Sequence, residues 1–178
     1  MKRTHTCGEL RLENSGQEVV LTGWVDSCRD LGGLIFVNLR DREGVTQAFL
    51  DPDAGEELMT IGSQIRDEWV ITVYGEVRSR PENMVNKKMS TGEVELIIRK
   101  IDVENKSRPM PFHLEDEKVN EELRLKYRYL DFRRTSISKF MQIRHRLGKI
   151  FRDYFDEQGF LEIETPILSK STPEGARD

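Results

Sequence analysis

Five short runs of β-branched and aromatic residues, punctuated by glycine and aspartate, fill the first hundred residues of this chain. They are Val19–Val25, Leu34–Leu39, Val45–Leu50, Trp69–Val77 and Val94–Ile101. Asp30-Leu31-Gly32-Gly33 and Asp41-Arg42-Glu43-Gly44 join the first three, the residue types that tolerate the backbone angles of tight hairpins. Between the third and fourth runs, Leu58, Met59, Ile61 and Ile65 recur at helical spacing, which predicts a short helix over 56–66. Three strands, a helix and two strands is the order of an OB-fold, a five-stranded Greek-key barrel that binds oligonucleotides across one face.

The pattern changes after residue 105. Lys106–Phe112 carries Pro109 and Pro111, and Glu115-Asp116-Glu117 reads as an exposed connector. A long helix is predicted from Thr135 to Gln158, with Ile137, Met141, Ile143, Leu147, Ile150, Phe151, Tyr154 and Phe155 on its apolar stripe and Gly159 as its stop. Phe160–Thr165 has strand character and ends at Pro166. The expected organisation is mainly β with α: a barrel over 1–105, a hinge over 106–134, and the opening helix–strand unit of a second domain over 135–178. That unit cannot bury both its faces alone, so the chain is expected to be a fragment.

Composition narrows the function classes. Charged residues make up 34% and hydrophobic ones 37%, a balance suited to a soluble protein. No apolar run approaches the roughly 20 residues that span a bilayer, and the basic start leads into no apolar segment. Cys7 and Cys28 stand apart from any metal-ligand spacing, so two free thiols in a reducing, cytoplasmic setting are expected, with no metal. A net charge of −4 argues against a sequence-blind nucleic-acid coat. It leaves room for a selective reader with local positive charge. Arg124, Lys126, Arg128, Arg133, Arg134, Lys139, Arg144, Arg146, Lys149 and Arg152 form a basic run that serves equally as a solvated helix face.

Three stretches together resemble the aspartyl-tRNA synthetases of class II, subclass b. The first runs from Gly23-Trp24-Val25 through Arg29-Asp30 to Gly44. The second is Arg124-Leu125-Lys126-Tyr127-Arg128-Tyr129-Leu130-Asp131-Phe132-Arg133-Arg134, similar to the junction between hinge and catalytic domain. The third, Gly159–Leu168, looks like motif 1 of class II, the dimer-forming helix and strand. Thr172-Pro173-Glu174-Gly175-Ala176-Arg177-Asp178 then points to the aspartyl branch. Ser27 and Cys28 depart from the pattern, since relatives often carry further arginines there, and Phe132 replaces a leucine. Motifs 2 and 3 are absent, and Phe151-Arg152-Asp153 is a false match to motif 2, lying inside an amphipathic helix.

The resemblance implies a division of labour among named residues. An anticodon reader needs an aromatic platform, base-edge donors and acceptors, and cations for phosphate. Phe36 and Gln47 would take the central anticodon base, with Arg29 nearby, and Glu95 would accept from the first base; Phe49 and Arg80 are additional candidates. Spacing alone favours barrel core for Phe36 and Phe49, and an exposed strand carboxylate for Glu95. Leu31 and Asn83 occupy positions that bear on whether asparagine tRNA is also accepted, and both lean towards discrimination. Glu174 would engage the ammonium group of L-aspartate, and Pro166 would shape a homodimer interface. The fragment is expected to hold no catalytic residue, no ATP and no Mg2+, which belong to the full-length ligase. The alternatives are an asparaginyl-tRNA synthetase and a stand-alone OB-fold tRNA-binding module.

Overall fold

The computed structural model describes residues 3–168. The chain divides into two compact units, Met1–His113 and Leu114–Asp178.

In the first unit, strands β1 (Glu18–Leu31), β2 (Leu34–Arg40), β3 (Val45–Leu50), β4 (Val70–Ser79) and β5 (Val94–Asn105) close into a barrel of order β1-β2-β3-β5-β4. The expected OB-fold is borne out, including helix α1 (Glu56–Gln64) between β3 and β4. Only β3 and β5 run parallel, through Ala48–Leu96 and Phe49–Ile97, and closure there leaves no open edge. Period-two alternation sends Val19, Leu21, Val25, Ile35, Val37, Leu39, Ile71, Val73, Leu96 and Ile98 inward, where all are essentially inaccessible. Leu58, Met59 and Ile61 of α1 pack against this core. The helix can approach because residue 62 is glycine: a Cβ there would lie 2.6 Å from Leu50 Cδ2.

β1 extends beyond the predicted run, to the hairpin tip itself. The turn is confined to Gly32 and Gly33, both with positive φ (66° and 93°). Its pairing with β2 slips by one residue between Val25 and Ser27, leaving Asp26 as a bulge. Before the bulge Trp24 faces out and Val25 in; after it Ser27, Arg29 and Leu31 face out, and Cys28 packs on the core.

The N-terminal segment closes one end of the barrel with Cys7 and Leu10, both fully buried. The Asp41 carboxylate fastens it, accepting from the backbone N–H groups of Cys7, Glu43 and Gly44 at 2.9, 2.8 and 3.1 Å. Burial, reinforced by the neighbouring Asp41 charge, pushes the Cys7 thiol far above the ordinary cysteine range, and burial also raises half-buried Cys28. Thiolate is the reactive form. A chromogenic disulfide reagent at pH 8 is therefore expected to label Cys28 slowly and Cys7 only after unfolding. Rapid labelling of two thiols in native protein would show that the N-terminal segment is not seated.

In the second unit, α2 (Glu121–Lys126) and α3 (Arg128–Asp131) meet around a fully buried Asp131 carboxylate. Arg124 Nε donates to one oxygen at 2.8 Å and Arg128 Nη1 to the other at 2.7 Å. Helix α4 (Thr135–Glu157) follows the predicted span and has no buried residue; Phe140, Ile143, Leu147, Ile150, Phe151 and Tyr154 are exposed along it. Residues 160–166 form no strand, correcting the expectation there. A strand exists by hydrogen bonding to a neighbour, and none of the described residues pairs with this segment. No described helix is long and apolar enough to cross a membrane.

Candidate nucleic-acid interface

The outward face of β1, β2 and β3 carries two adjacent cross-strand rows. Ser27, Asn38 and Gln47 are register partners in one row, and Arg29, Phe36 and Phe49 in the next. Successive strands lie about 4.8 Å apart, so each row sets its side chains side by side. The bulge at Asp26 is what brings Ser27 and Arg29 onto this face. A cleft of about 230 Å³ opens over the rows, lined by Ser27, Arg29, Leu31, Phe36, Asn38, Gln47, Asn86 and Met89. Four predicted residues, Arg29, Leu31, Phe36 and Gln47, therefore share one cavity.

The other predicted residues are placed differently. Phe49 faces outward yet is only 5% exposed, because the Arg78 guanidinium lies 4.6 Å from its ring centre and Phe36 packs alongside at 6.3 Å. It is neither barrel core nor open platform. Glu95 is 7% exposed, not the solvated strand carboxylate that spacing favoured. Arg78 Nη2 donates to it at 2.7 Å, and Arg80 Nε lies 3.9 Å from its other oxygen. Arg80 also donates through Nε to the Val94 carbonyl at 3.0 Å, while its Nη2 is buried without a partner. Desolvation lowers the Arg80 pKa and the Glu95 charge pulls it back up. The result is an arginine whose remaining donor wants an acceptor.

Asn83 sits exposed in a turn at Glu82–Met84 and does not line the cleft. Pro166 is exposed, and Glu174 lies outside the described residues. A larger cavity of about 500 Å³ in the second unit, lined by Glu115, Glu117, Arg134, Lys139 and Phe140 among others, gathers none of the predicted residues.

Sequence reasoning missed Arg78, Asn86 and Met89. Arg78 was within reach, since alternation along β4 places it opposite buried Val77, and Val77 was part of the predicted run. Asn86 and Met89 belong to the 80–92 loop, whose course no pattern announces. That loop is tied down by Thr91 Oγ1 donating to the Val45 carbonyl at 2.6 Å and by Asn86 N–H donating to the Gly92 carbonyl at 3.0 Å. Gly92 is required at the crossing, where a Cβ would stand 1.9 Å from the Asn86 oxygen. Among the described residues, no group of His, Cys, Asp and Glu could hold a metal ion.

An aromatic ring, an unpaired arginine, the free amide of Gln47 and a buried Arg–Glu couple at a barrel face can stack a base, read its edge and meet a phosphate. Comparison with known proteins agrees with that chemistry. Residues 19–104 match a family described as OB-fold nucleic acid binding domain, and residues 120–178 match tRNA synthetases class II (D, K and N). An aspartate–tRNA(Asp/Asn) ligase of Desulfatibacillum aliphaticivorans is 52% identical across 100% of this chain. An aspartate–tRNA ligase of Listeria monocytogenes is 49% identical across 99% of it. The chain spans 30% of the length of each of these curated relatives. Among solved structures, asparaginyl-tRNA synthetase from Pyrococcus horikoshii complexed with asparaginyl-adenylate superposes with a TM-score of 0.84 at 28% identity, covering 98% of this chain and 39% of that one.

Proposed function

Because this chain belongs to the aspartyl-tRNA synthetase family of class II, we propose that its barrel reads the anticodon loop of aspartate tRNA for an enzyme that ligates L-aspartate to that tRNA. The observation that carries the reading is the shared cleft of Arg29, Phe36 and Gln47 on the outward barrel face. In it Phe36 stacks the central anticodon base, Gln47 reads that base's edge, and Arg29 meets phosphate. Phe49 backs the platform, Glu95 with Arg80 takes the first base, and Leu31 and Asn83 bear on discrimination against asparagine tRNA. The proposed boundaries are 1–105 for the barrel, 106–134 for the hinge and 135–178 for the start of the catalytic domain.

The whole enzyme would spend ATP, with Mg2+, to activate aspartate before transfer to the tRNA, in the cytoplasm and as a homodimer shaped in part by Pro166. Glu174 would engage the amino acid's ammonium group. No described residues fit a metal site, so Mg2+ is assigned to no residue here. This chain alone is expected to bind tRNA without catalysis.

Titration of a fluorescent aspartate anticodon stem-loop with the full chain tests the reading. Tight binding that weakens when anticodon bases are replaced is the expected result; equal binding of all loops, or none, would refute it. Arg29 is exposed and makes no ion pair among the described residues. Arg29→Ala should therefore weaken all loops alike and lower the slope of log affinity against log salt by about 1.

A further inference from the structure

We propose that Lys87 and Lys88, at the tip of the 80–92 loop, are a phosphate-binding pair that holds the RNA backbone at the mouth of the recognition cleft; the inference rests on the anticodon reading above. The tip is a β-turn. The Met89 N–H donates to the Asn86 carbonyl at 3.1 Å, and Asn86 Oδ1 accepts from the Lys88 N–H at 3.1 Å. The two corner residues, Asn86 and Met89, line the cleft beside Phe36 and Gln47. The two central residues, Lys87 and Lys88, are exposed, so their stems leave the chain at the rim of that cleft. The turn is anchored on both sides. The Asn86 N–H donates to the Gly92 carbonyl and the Gly92 N–H to the Met89 carbonyl, both at 3.0 Å. Thr91 Oγ1 then fastens the loop to the Val45 carbonyl of β3, the strand that carries Gln47.

Among the described residues the lysines with ion pairs are Lys100 and Lys149; Lys87 and Lys88 have none. The loop's own acids, Glu82 and Glu93, lie outside the turn, and Glu93 belongs to the stem, where its carbonyl accepts from the Arg80 N–H at 2.8 Å. Arg78 and Arg80 are already turned towards Glu95. In a chain of net charge −4, the two lysines thus join Arg29 as uncompensated positive charge at the cleft. A base laid on Phe36 leaves its ribose and the flanking phosphates outside. An ammonium on a flexible stem suits them, because it acts as a point charge and needs no fixed angle. An exposed lysine pair is ordinarily a solvated surface. This pair differs in sitting on an anchored turn whose corners form the cleft wall. Phosphate contacts carry no sequence information, so the lysines add affinity for every loop and leave discrimination to the cleft.

The test titrates the full chain with the aspartate anticodon stem-loop, and with one carrying substituted anticodon bases, at several salt concentrations. Lys87→Ala and Lys88→Ala should each lower the slope of log affinity against log salt by about 0.7, the single-strand value per phosphate, and the double variant by about 1.4. The affinity ratio of the two loops should stay at its wild-type value. So should the melting temperature, since both side chains are exposed and unpaired. Lys87→Arg with Lys88→Arg should keep the wild-type slope, because charge rather than shape is used. Lys118→Ala, at an exposed lysine of the second unit, should leave the slope unchanged. A wild-type slope in the double alanine variant, or an equal fall in Lys118→Ala, would overturn the phosphate assignment and leave the anticodon reading standing. Equal binding of both loops by wild-type protein, with a slope that still falls in the lysine variants, would overturn the base reading alone. Binding of neither loop would overturn both.

Discussion

Glu95→Ala is expected to lower the unfolding free energy of the barrel by about 3–5 kcal/mol, far more than loss of a surface carboxylate would cost. The reason lies in what remains. Arg78 is half exposed and can turn to water, but the Arg80 side chain is only 5% exposed and would keep its charge with no counter-ion. Its Nη2 already lacks a partner. Urea unfolding of the full chain reads this directly, because both tryptophans, Trp24 and Trp69, belong to the barrel unit. The double variant Glu95→Ala with Arg80→Leu should recover much of the loss, since replacing both members of a buried pair is far milder than removing one. A single-variant loss below about 1 kcal/mol, the range of an exposed pair, would show that Arg80 does not depend on this carboxylate. In binding, Glu95→Ala should also weaken the cognate stem-loop, by releasing Arg80 and Arg78 from their set positions.

Phe36→Ala should have the opposite signature: a large loss of RNA affinity with little loss of fold. Its ring is half buried on the outward face, packed on Phe49 and absent from the inward cluster that fills the barrel. Removing a stacking platform costs about 1–3 kcal/mol for the base it supports. Every base has a π-face, so affinity should fall for cognate and substituted loops alike. Stem-loop titration paired with thermal melting separates the two roles. An unchanged affinity with a lowered melting temperature would mean that Phe36 serves packing, and that the cleft is not where the base sits.

The barrel was legible because three strands, a helix and two strands in that order are the order of an OB-fold. Alternation sorts Phe36 with Asn38 along β2 and Gln47 with Phe49 along β3, and the cleft lies on those faces. The burial of Glu95 was not legible, since it depends on two arginines reaching across from β4 and its end, and pairing between distant strands leaves no mark in either. Phe49 is roofed for the same reason. Asn86 and Met89 enter the cleft from a loop whose path is set by Thr91 and Gly92, contacts that no periodicity encodes. The segment 160–165 has strand composition, but composition supplies only one side of a ladder.

The extra residue at Asp26 divides β1 into two reading frames. Upstream, odd-numbered positions such as Val25 serve the interior; downstream, the odd-numbered Ser27, Arg29 and Leu31 serve the recognition surface. Were this sequence to pair with β2 without the bulge, Cys28 and Asp30 would turn outward and the cleft residues towards the core, as a frameshift acts on a message; deleting Asp26 itself would remove the extra residue and leave Ser27, Arg29 and Leu31 facing as they do. In that unbulged pairing every residue of the recognition surface would still be present in the sequence, and the surface would be gone. Identity between two such chains, counted position by position, therefore measures a shared surface only as far as the pairing register between Val25 and the hairpin tip is also shared.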